Sequence, residues 1–388
     1  MTSVTTGLTT VAGNVTGRSG SPRDHRGSWI PTGSMIATRF MELRKRRGLM
    51  AALLVVNIGI PTIFLTIRLI MHATAPKTYG PAGGYDVFTA LVAGIMYVFG
   101  FIVAATLGCT AGSVDLTDGM FRHLVITGRS RLAIFFARIP AGLAIIVPMV
   151  AAGFTIVCAV CVFAAPTKLE FQGVTVPAGL SMKGLETWAA DHPKTVVCGF
   201  GFQFKQGQQV NIPPCFIDQR GRVVTPPGAP KLSTVPLATL QADAVKIAQQ
   251  NYAGYATHFL KPSTSLMIKA GLWIELEAVI GLIVGLGLGS LLGQRTISVI
   301  LMIVLEVVLT PILSHSVIPH LINVQRGVVG LATAHLEPGG LPHAFGGGGG
   351  GGGGFLVPES TTVAVCVIVG WLVVWTGLGA WRMAKRDT

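Results

Sequence analysis

Six apolar runs constrain this sequence more than any other feature. Each spans roughly 20 residues or more, the length that an α-helix needs to cross about 30 Å of hydrocarbon. They run over Gly48–Met71, Val87–Ser113, Ile134–Ala165, Ser265–Leu292, Thr296–Ile318 and Thr361–Trp381. A membrane-spanning barrel would need short strands of alternating hydrophobicity, which the sequence lacks. We therefore predict an all-α polytopic membrane protein with six transmembrane helices.

The composition agrees with a membrane protein. Hydrophobic residues make up 51% of the 388 residues, and charged residues only 12%. Soluble domains carry about 25% charged residues, so a water-facing globule of this size would lack polar surface, and soluble enzyme classes are excluded. The net charge is +13, but the basic residues lie at the ends of apolar runs and form no separate basic domain. This placement argues against nucleic acid as a partner and favours membrane lipids.

Basic residues in the short connections predict the orientation, because cytoplasmic loops carry an excess of Lys and Arg. The predicted cytoplasmic side holds Arg39, Arg44, Lys45, Arg46, Arg47, Arg122, Arg129, Arg131, Arg138, Arg295, Arg382, Lys385 and Arg386. The opposite side has only Lys77 and Arg326 in its short connections. We expect a multi-pass protein of the plasma membrane with both termini in the cytoplasm.

The N-terminal region predicts a tail, a surface helix and a retained anchor. Residues 1–34 are rich in Gly, Ser and Thr and are expected to form a disordered cytoplasmic tail. Met35–Arg47 mixes apolar and basic residues, which is typical of an amphipathic helix in the membrane interface. Ala73-Thr74-Ala75 fits a signal-peptide cleavage site, but the apolar run before it is longer than a signal peptide needs and follows a polar tail. A retained first span is therefore favoured over cleavage.

The 166–264 segment is the candidate for a folded extracytoplasmic domain of mixed α/β character. Phe171–Val176 and Gln209–Ile212 resemble strands, Pro226–Pro230 a turn region, and Leu237–Tyr255 a helix.

Two cysteines, Cys198 and Cys215, lie in this external segment. In an oxidising compartment they are expected to form a disulfide, closing a loop of about 17 residues and contributing ~3 kcal/mol. A metal site is the less favoured alternative there, because no histidine lies near. His315 and His320 bracket the end of the fifth span without a third ligand, so no metal site is predicted.

The connection before the last span contains nine consecutive glycines, Gly346–Gly354. Such a run predicts a flexible external tether. It is no phosphate-binding loop, because no Gly-Lys-Ser/Thr follows it.

The most informative segment is the cytoplasmic connection between the second and third spans. It reads AGSVDLTDGMFRHLVITGRSRLAIFFAR over Ala111–Arg138, and its central part, 114–133, is the candidate coupling loop. Asp118 and Arg122 are four residues apart, which on a helix would place opposite charges on one face. Gly128 then ends the helix and leaves a basic turn. Such a charged helix and turn can fit a groove on a partner, although arginines that only set the topology remain the alternative.

This segment resembles the membrane subunits of ABC-2-type ABC transporters. Those permeases show an acidic residue four before a Gly-Thr pair, then Arg, a Leu pair, a Ser/Arg turn and a further basic residue. Met120 stands where threonine is usual, and Asp115 where glutamate is usual. The predicted architecture also resembles that family. It has the interfacial helix, six spans in 35–165 and 265–388, and a large external loop after the third span. The residues expected to bind the ATPase are the matching positions Asp115, Gly119, Arg122, Arg129, Ser130, Arg131 and Arg138, together with Asp118, which pairs with Arg122 by spacing.

The resemblance implies a permease that moves a substrate across the membrane, in the direction of export. The chain has no phosphate-binding motif, so ATP and Mg²⁺ would be bound by a separate ATPase subunit. A second permease chain, giving a homodimer, is also implied. The alternative is a membrane-anchored sensor or assembly protein that presents the disulfide-braced external domain without transport. An intramembrane enzyme would need a catalytic set, and none is present at useful spacing.

Acidic residues inside the spans are candidates for the transport pathway. A charge at the bilayer centre costs ~2.5–3.5 kcal/mol, so such residues usually face protein or water. Glu306 lies deepest in its span, while Glu275 and Glu277 are two residues apart on different faces of theirs. Pairing with a neighbouring helix is the alternative role.

A glycine stripe marks the fourth span. Gly281, Gly285 and Gly289 repeat every four residues, which predicts a flat stripe for close helix packing within the subunit rather than at a dimer seam.

Overall fold

The structure is a computed structural model that describes residues 29–75, 79, 81–117, 130–165, 168–171, 174–200, 215–217, 223–224, 235–258, 261–314, 318–339, 341 and 357–385. It is mostly helical. In chain order the helices are α1 (Gly33–Lys45), α2 (Arg47–Thr74), α3 (Tyr85–Asp115, continuing to Thr117), α4 (Arg131–Phe163), α5 (Met182–Asp191), α6 (Pro193–Phe200), α7 (Leu237–His258), α8 (Thr264–Leu292), α9 (Arg295–Ser314), α10 (Ile322–Arg326), α11 (Val329–His335) and α12 (Thr361–Lys385).

Six of these helices are long and apolar enough to cross a membrane: α2, α3, α4, α8, α9 and α12. This confirms the six predicted spans and a multi-pass membrane protein. The largest boundary differences are four residues, where α9 is described to Ser314 and α12 extends to Lys385. The predicted tail before residue 29 and the glycine run Gly346–Gly354 lie outside the described residues.

Three spans contain a π-helical segment, in which the backbone bonds reach one residue further than in an α-helix. These segments are Val55–Gly59 in α2, Ala90–Met96 in α3 and Val304–Leu309 in α9. Such bulges occur frequently at functional sites. Two of them adjoin the polar cluster described below.

Helices α3 and α8 form the centre of the bundle and are mostly buried, whereas α2, α9 and α12 expose much of their apolar surface. Glycines let α3 and α8 approach closely. A Cβ atom on Gly281 would lie 2.9 Å from the Phe101 carbonyl oxygen, and one on Gly285 would lie 2.6 Å from that of Ala105. Both distances are too short for a side chain, so the glycine stripe packs within the subunit, as predicted.

Helix α1 precedes the first span and lies against the N-terminal turns of α4. Met35, Arg39 and Leu43 form its buried stripe at i, i+4 and i+8, the spacing of one helix face. Met35 packs with Ala133 and Ile134 of α4. The chain then bends at Arg46 before α2 begins.

The segment between α4 and α8 has its own hydrophobic core. Two antiparallel hairpins occur in it, β1 (Lys168–Phe171) with β2 (Val174–Pro177) and β3 (Phe216–Ile217) with β4 (Val223–Val224). Helix α7 packs against α5 and α6 through Leu240, Ala244 and Ile247.

A disulfide joins Cys198 in α6 to Cys215 beside β3. The stretch predicted as a single strand, Phe171–Val176, covers parts of β1 and β2. The predicted strand Gln209–Ile212 and turn region Pro226–Pro230 lie outside the described residues.

Between α9 and α12 the chain returns into the bundle. Helix α11 is buried almost throughout, and a Cβ on its Gly330 would lie 2.6 Å from a carboxyl oxygen of Glu306. Glu306 is eleven residues after Arg295, which begins α9. At 1.5 Å per residue this is ~16 Å along the helix, near the middle of a layer about 30 Å thick. Helix α11 is therefore a short re-entrant segment.

Candidate functional site

The first polar centre is an ionic cluster around Asp115, at the end of α3. Arg39 of α1 donates two hydrogen bonds to the Asp115 carboxylate, from Nη1 to Oδ1 (2.8 Å) and from Nη2 to Oδ2 (2.7 Å). Arg138 of α4 donates from Nη2 to the same Oδ2. All three residues are buried, with Asp115 2% and Arg138 1% exposed. A bidentate pair from one helix and a third contact from another fix the relative positions of α1, α3 and α4.

Further contacts extend this cluster to a fourth helix and balance its charge. Arg138 Nη1 donates to the Gly112 carbonyl oxygen (3.0 Å), which also accepts a bond from Ser290 Oγ of α8 (3.2 Å). Arg39 Nη1 contacts Glu42 Oε2 at 2.6 Å, so two guanidinium groups face two carboxylates. Burial disfavours the charged form of Arg39, but Asp115 and then Glu42 more than offset it, so the pKa of Arg39 is raised.

Asp115 and Arg138 are both buried, and that they bind an ATPase stays a prediction. The Asp115 carboxylate and the Arg138 guanidinium bind partners within the chain. They do so because burying an unpaired charge at a helix junction costs several kcal/mol. What the structure describes for these two residues is a set of contacts that joins α1, α3 and α4.

The other predicted docking residues divide into two groups. Ser130 caps α4, its Oγ accepting a hydrogen bond from the Ala133 amide (3.1 Å). Arg131 Nη1 donates to the Ala384 carbonyl oxygen at the end of α12 (3.1 Å). The remaining residues lie outside the described part of the chain: Asp118, Gly119, Arg122 and Arg129.

The second polar centre lies inside the membrane region and surrounds Tyr97. The Tyr97 hydroxyl donates to Glu306 Oε1 of α9 (3.1 Å) and lies 3.5 Å from Thr333 Oγ1 of α11. Its ring stacks on that of Trp273 of α8, with centroids 4.6 Å apart, and Trp273 Nε1 donates to the Thr333 carbonyl oxygen (2.9 Å). Four elements, α3, α8, α9 and α11, thus converge on one hydroxyl group.

A second carboxyl group belongs to this centre. Glu277 of α8 is 1% exposed, and its carboxyl group interacts with the hydroxyls of Tyr97 and Thr333. One oxygen of each acid, Oε1 of Glu277 and Oε2 of Glu306, is buried without a hydrogen-bond partner. We call these residues, Tyr97, Trp273, Glu277, Glu306 and Thr333, the Tyr97 cluster.

Of the three acids predicted from the sequence, the structure brings only Glu277 and Glu306 together. Glu275 lies on another side of α8, is less buried than Glu277, and has no hydrogen-bond partner for either buried oxygen. The cause is helical spacing, since two residues along a helix turn a side chain by about 200°.

Sequence reasoning missed the residues that contact the acidic groups in both polar centres. Tyr97 is a polar aromatic residue in the middle of an apolar span, which was a usable signal. Arg39 was assigned only to the topology of α1. Gly330 and Thr333 lie in the connection between the fifth and sixth spans, and nothing in their sequence indicates that α11 enters the bundle.

Within the described residues, no group of three or more His, Cys, Asp or Glu side chains could hold a metal ion. Comparison of the chain with protein-family models, curated proteins and solved structures finds no match.

Proposed function

We propose that this protein is the membrane subunit of an ABC-2-type transporter, forming the path for ATP-driven export while a separate ATPase supplies the energy. The observation that carries the proposal is the buried cluster of Arg39, Asp115 and Arg138. It ties an interfacial helix to the two spans that flank the coupling loop.

This linkage has the mechanical property that a coupled permease requires. A force applied to the segment after α3 acts on Asp115, which is bonded to α1 and α4. Because the charges are buried and paired, breaking the linkage costs several kcal/mol. Movement of the loop is therefore transmitted to the spans as a rigid-body motion.

The proposal includes the partners that such a subunit needs. The ATPase would bind ATP and Mg²⁺ and dock on the coupling loop through Arg129 and Arg131. A second copy of this chain would complete the path in the plasma membrane, with both termini in the cytoplasm. Helix α1 suits an anionic lipid surface, because Arg44 and Lys45 are exposed at its C-terminal end.

Co-purification of the tagged chain from its own host in mild detergent tests the proposal. We expect an ATPase subunit in near-equal amount, lost when Arg129 and Arg131 are both changed to Glu. The Arg44→Glu, Lys45→Glu double variant carries the same charge change on the same side and should keep the ATPase. Arg131→Gln removes one of the two docking guanidinium groups, together with its contact to Ala384, without reversing the charge, so it should weaken binding but not abolish it. Recovery of the chain without any ATPase would contradict the proposal.

The alternative is a sensor or assembly protein. It is favoured by one observation, the separate hydrophobic core of the disulfide-braced external domain. This function needs no ATPase contact, so the same purification distinguishes the two.

A further inference from the structure

The Tyr97 cluster has fewer hydrogen-bond donors than its acceptors require. Thr310 Oγ1, beside Glu306, donates to the Leu305 carbonyl oxygen (2.9 Å), and Thr333 Oγ1 donates to that of Gly330 (3.1 Å). Each threonine hydroxyl also lies within hydrogen-bonding reach of a glutamate carboxyl group, Thr310 of Glu306 and Thr333 of Glu277, but it has a single proton and a backbone acceptor that competes for it. The Tyr97 hydroxyl also has a single proton, and Glu306 Oε1 and the Glu277 carboxyl group both lie within its reach. One carboxyl oxygen on each glutamate, Oε1 of Glu277 and Oε2 of Glu306, is therefore left without a hydrogen-bond donor.

The charge of the cluster leads to the same conclusion. Neither Glu277 nor Glu306 forms a salt bridge within the described residues, and both are 1% exposed. Two buried carboxylates without a cation would each lose several kcal/mol of hydration and would repel one another. A bound proton removes one of the charges and supplies the missing hydrogen-bond donor.

We propose that Glu277 and Glu306 form a proton-binding site in the middle of the membrane region. A proton taken up from water forms an O–H bond on one carboxyl oxygen, and its release restores the carboxylate. The proposed ligand is a proton, which needs no space beyond the carboxyl oxygens, and Gly330 packs so closely on this side that a Cβ there would lie 2.6 Å from Glu306 Oε2 and from Thr310 Oγ1. The site stands on the cluster alone and does not rest on the proposed ATPase partner.

The re-entrant helix α11 covers this site and depends on its charge. Tyr97 faces the pair from α3, and the two carboxyl groups face each other from α8 and α9. From α11 the pair meets the backbone of Gly330 and the hydroxyl of Thr333, on a segment without charged residues. His335, at the end of α11, interacts with Glu359. The protonated pair lets α11 pack closely, and loss of the proton draws in water and loosens α11.

Infrared spectroscopy of the purified protein tests the site directly. We expect the carbonyl stretching band of a protonated carboxylic acid at neutral pH, shifted in heavy water and by heavy-isotope labelling of the glutamate carboxyl carbons. Glu306→Gln and Glu277→Gln keep the side-chain size and should each remove or shift the band. Glu186→Gln, on the external domain, should leave it unchanged.

Two results would overturn the proposal. One is the absence of a glutamate acid band in the wild-type protein, which needs no variant to fold. The other is loss of the band in Glu275→Gln but not in the variants of the pair, since the proton would then reside on a neighbour outside the cluster.

Hydrogen exchange of the 329–335 segment gives a second test. Raising the pH should speed exchange in the wild-type chain more than in the Glu277→Gln, Glu306→Gln double variant, whose pair cannot ionise. Equal pH dependence in the two proteins would show that α11 does not respond to the pair and would contradict the proposal.

Discussion

Asp115 holds two arginines that come from different helices, and removing its charge leaves both of them buried without an anion between them. We expect Asp115→Asn to lower the free energy of unfolding by about 3–5 kcal/mol, the cost of breaking a buried ion pair from one side. Glu42→Gln also removes an anion from Arg39, but the Glu42 side chain is 32% exposed, so we expect a loss of only about 0–1 kcal/mol. Denaturant or thermal unfolding in detergent measures both; equal losses would contradict a buried cluster centred on Asp115.

The roles of single residues were only partly predictable. The sequence indicates that Asp115 and Arg138 lie at the cytoplasmic ends of neighbouring spans. It does not indicate that Arg39, separated from Asp115 by 76 positions, binds the same carboxylate. Likewise Tyr97 and Glu306 are separated by 209 positions. Such pairs arise from how helices pack, which apolar periodicity and charge counting do not specify.

At the scale of elements, the seam between α3 and α8 depends on glycines on both helices. A Cβ on Gly108 would overlap the Leu282 carbonyl oxygen and lie 2.9 Å from the Leu286 nitrogen, whereas one on Gly100 of the same helix would meet nothing within 4 Å. We expect Gly108→Ala to destabilise the protein by about 1–3 kcal/mol through overpacking. Gly100→Ala should be neutral or stabilising, because alanine favours the helix by about 1 kcal/mol. Thermal unfolding in detergent compares them, and similar midpoints would count against the close seam.

The disulfide constrains the segment between α4 and α8, since it closes a loop of 17 residues between Cys198 and Cys215. Replacing both cysteines with serine should cost ~3 kcal/mol on the chain-entropy model. Limited proteolysis should then cleave the external segment faster while the spans stay intact. Cys366→Ser changes an exposed free cysteine on α12 and serves as the control. Unchanged proteolysis of the double variant would show that the core of this domain suffices without the bond.

Elements differ in how far their sequence predicts them. The spans were predictable because about 20 consecutive apolar residues have few alternatives to a membrane helix. The π-helical segments in α2, α3 and α9 were not predictable. A π-helical turn differs from an α-helical one by a single residue, which does not visibly change the pattern of apolar residues in a span that is apolar throughout. Helix α11 has seven residues, too few for a span, and its burial depends on the site that Glu306 and Tyr97 create.

For the whole molecule, the two polar centres lie at different depths of one bundle and share its central helices. Helix α3 carries Tyr97 of one cluster and Asp115 of the other, and α8 carries Glu277 together with Ser290. The glycine seam holds these two helices together along the length between the two centres. A rigid pair of this kind can transmit a displacement from the Asp115 cluster to the site under α11.

Coupling to an ATPase requires α1 and the cluster at Asp115 to face the cytoplasm. The excess of basic residues at this end of the spans predicts the same orientation. Single cysteines test it in a chain whose four free cysteines are replaced and whose disulfide is kept. Thr239→Cys places an exposed thiol on α7 and Arg44→Cys places one on α1. An impermeant thiol reagent should label the first in intact cells and the second only after permeabilisation. The reverse pattern would invert the orientation and put the coupling loop on the wrong side for an ATPase. Labelling of both thiols in intact cells would place α1 and α7 on the same side, which contradicts three membrane crossings between them.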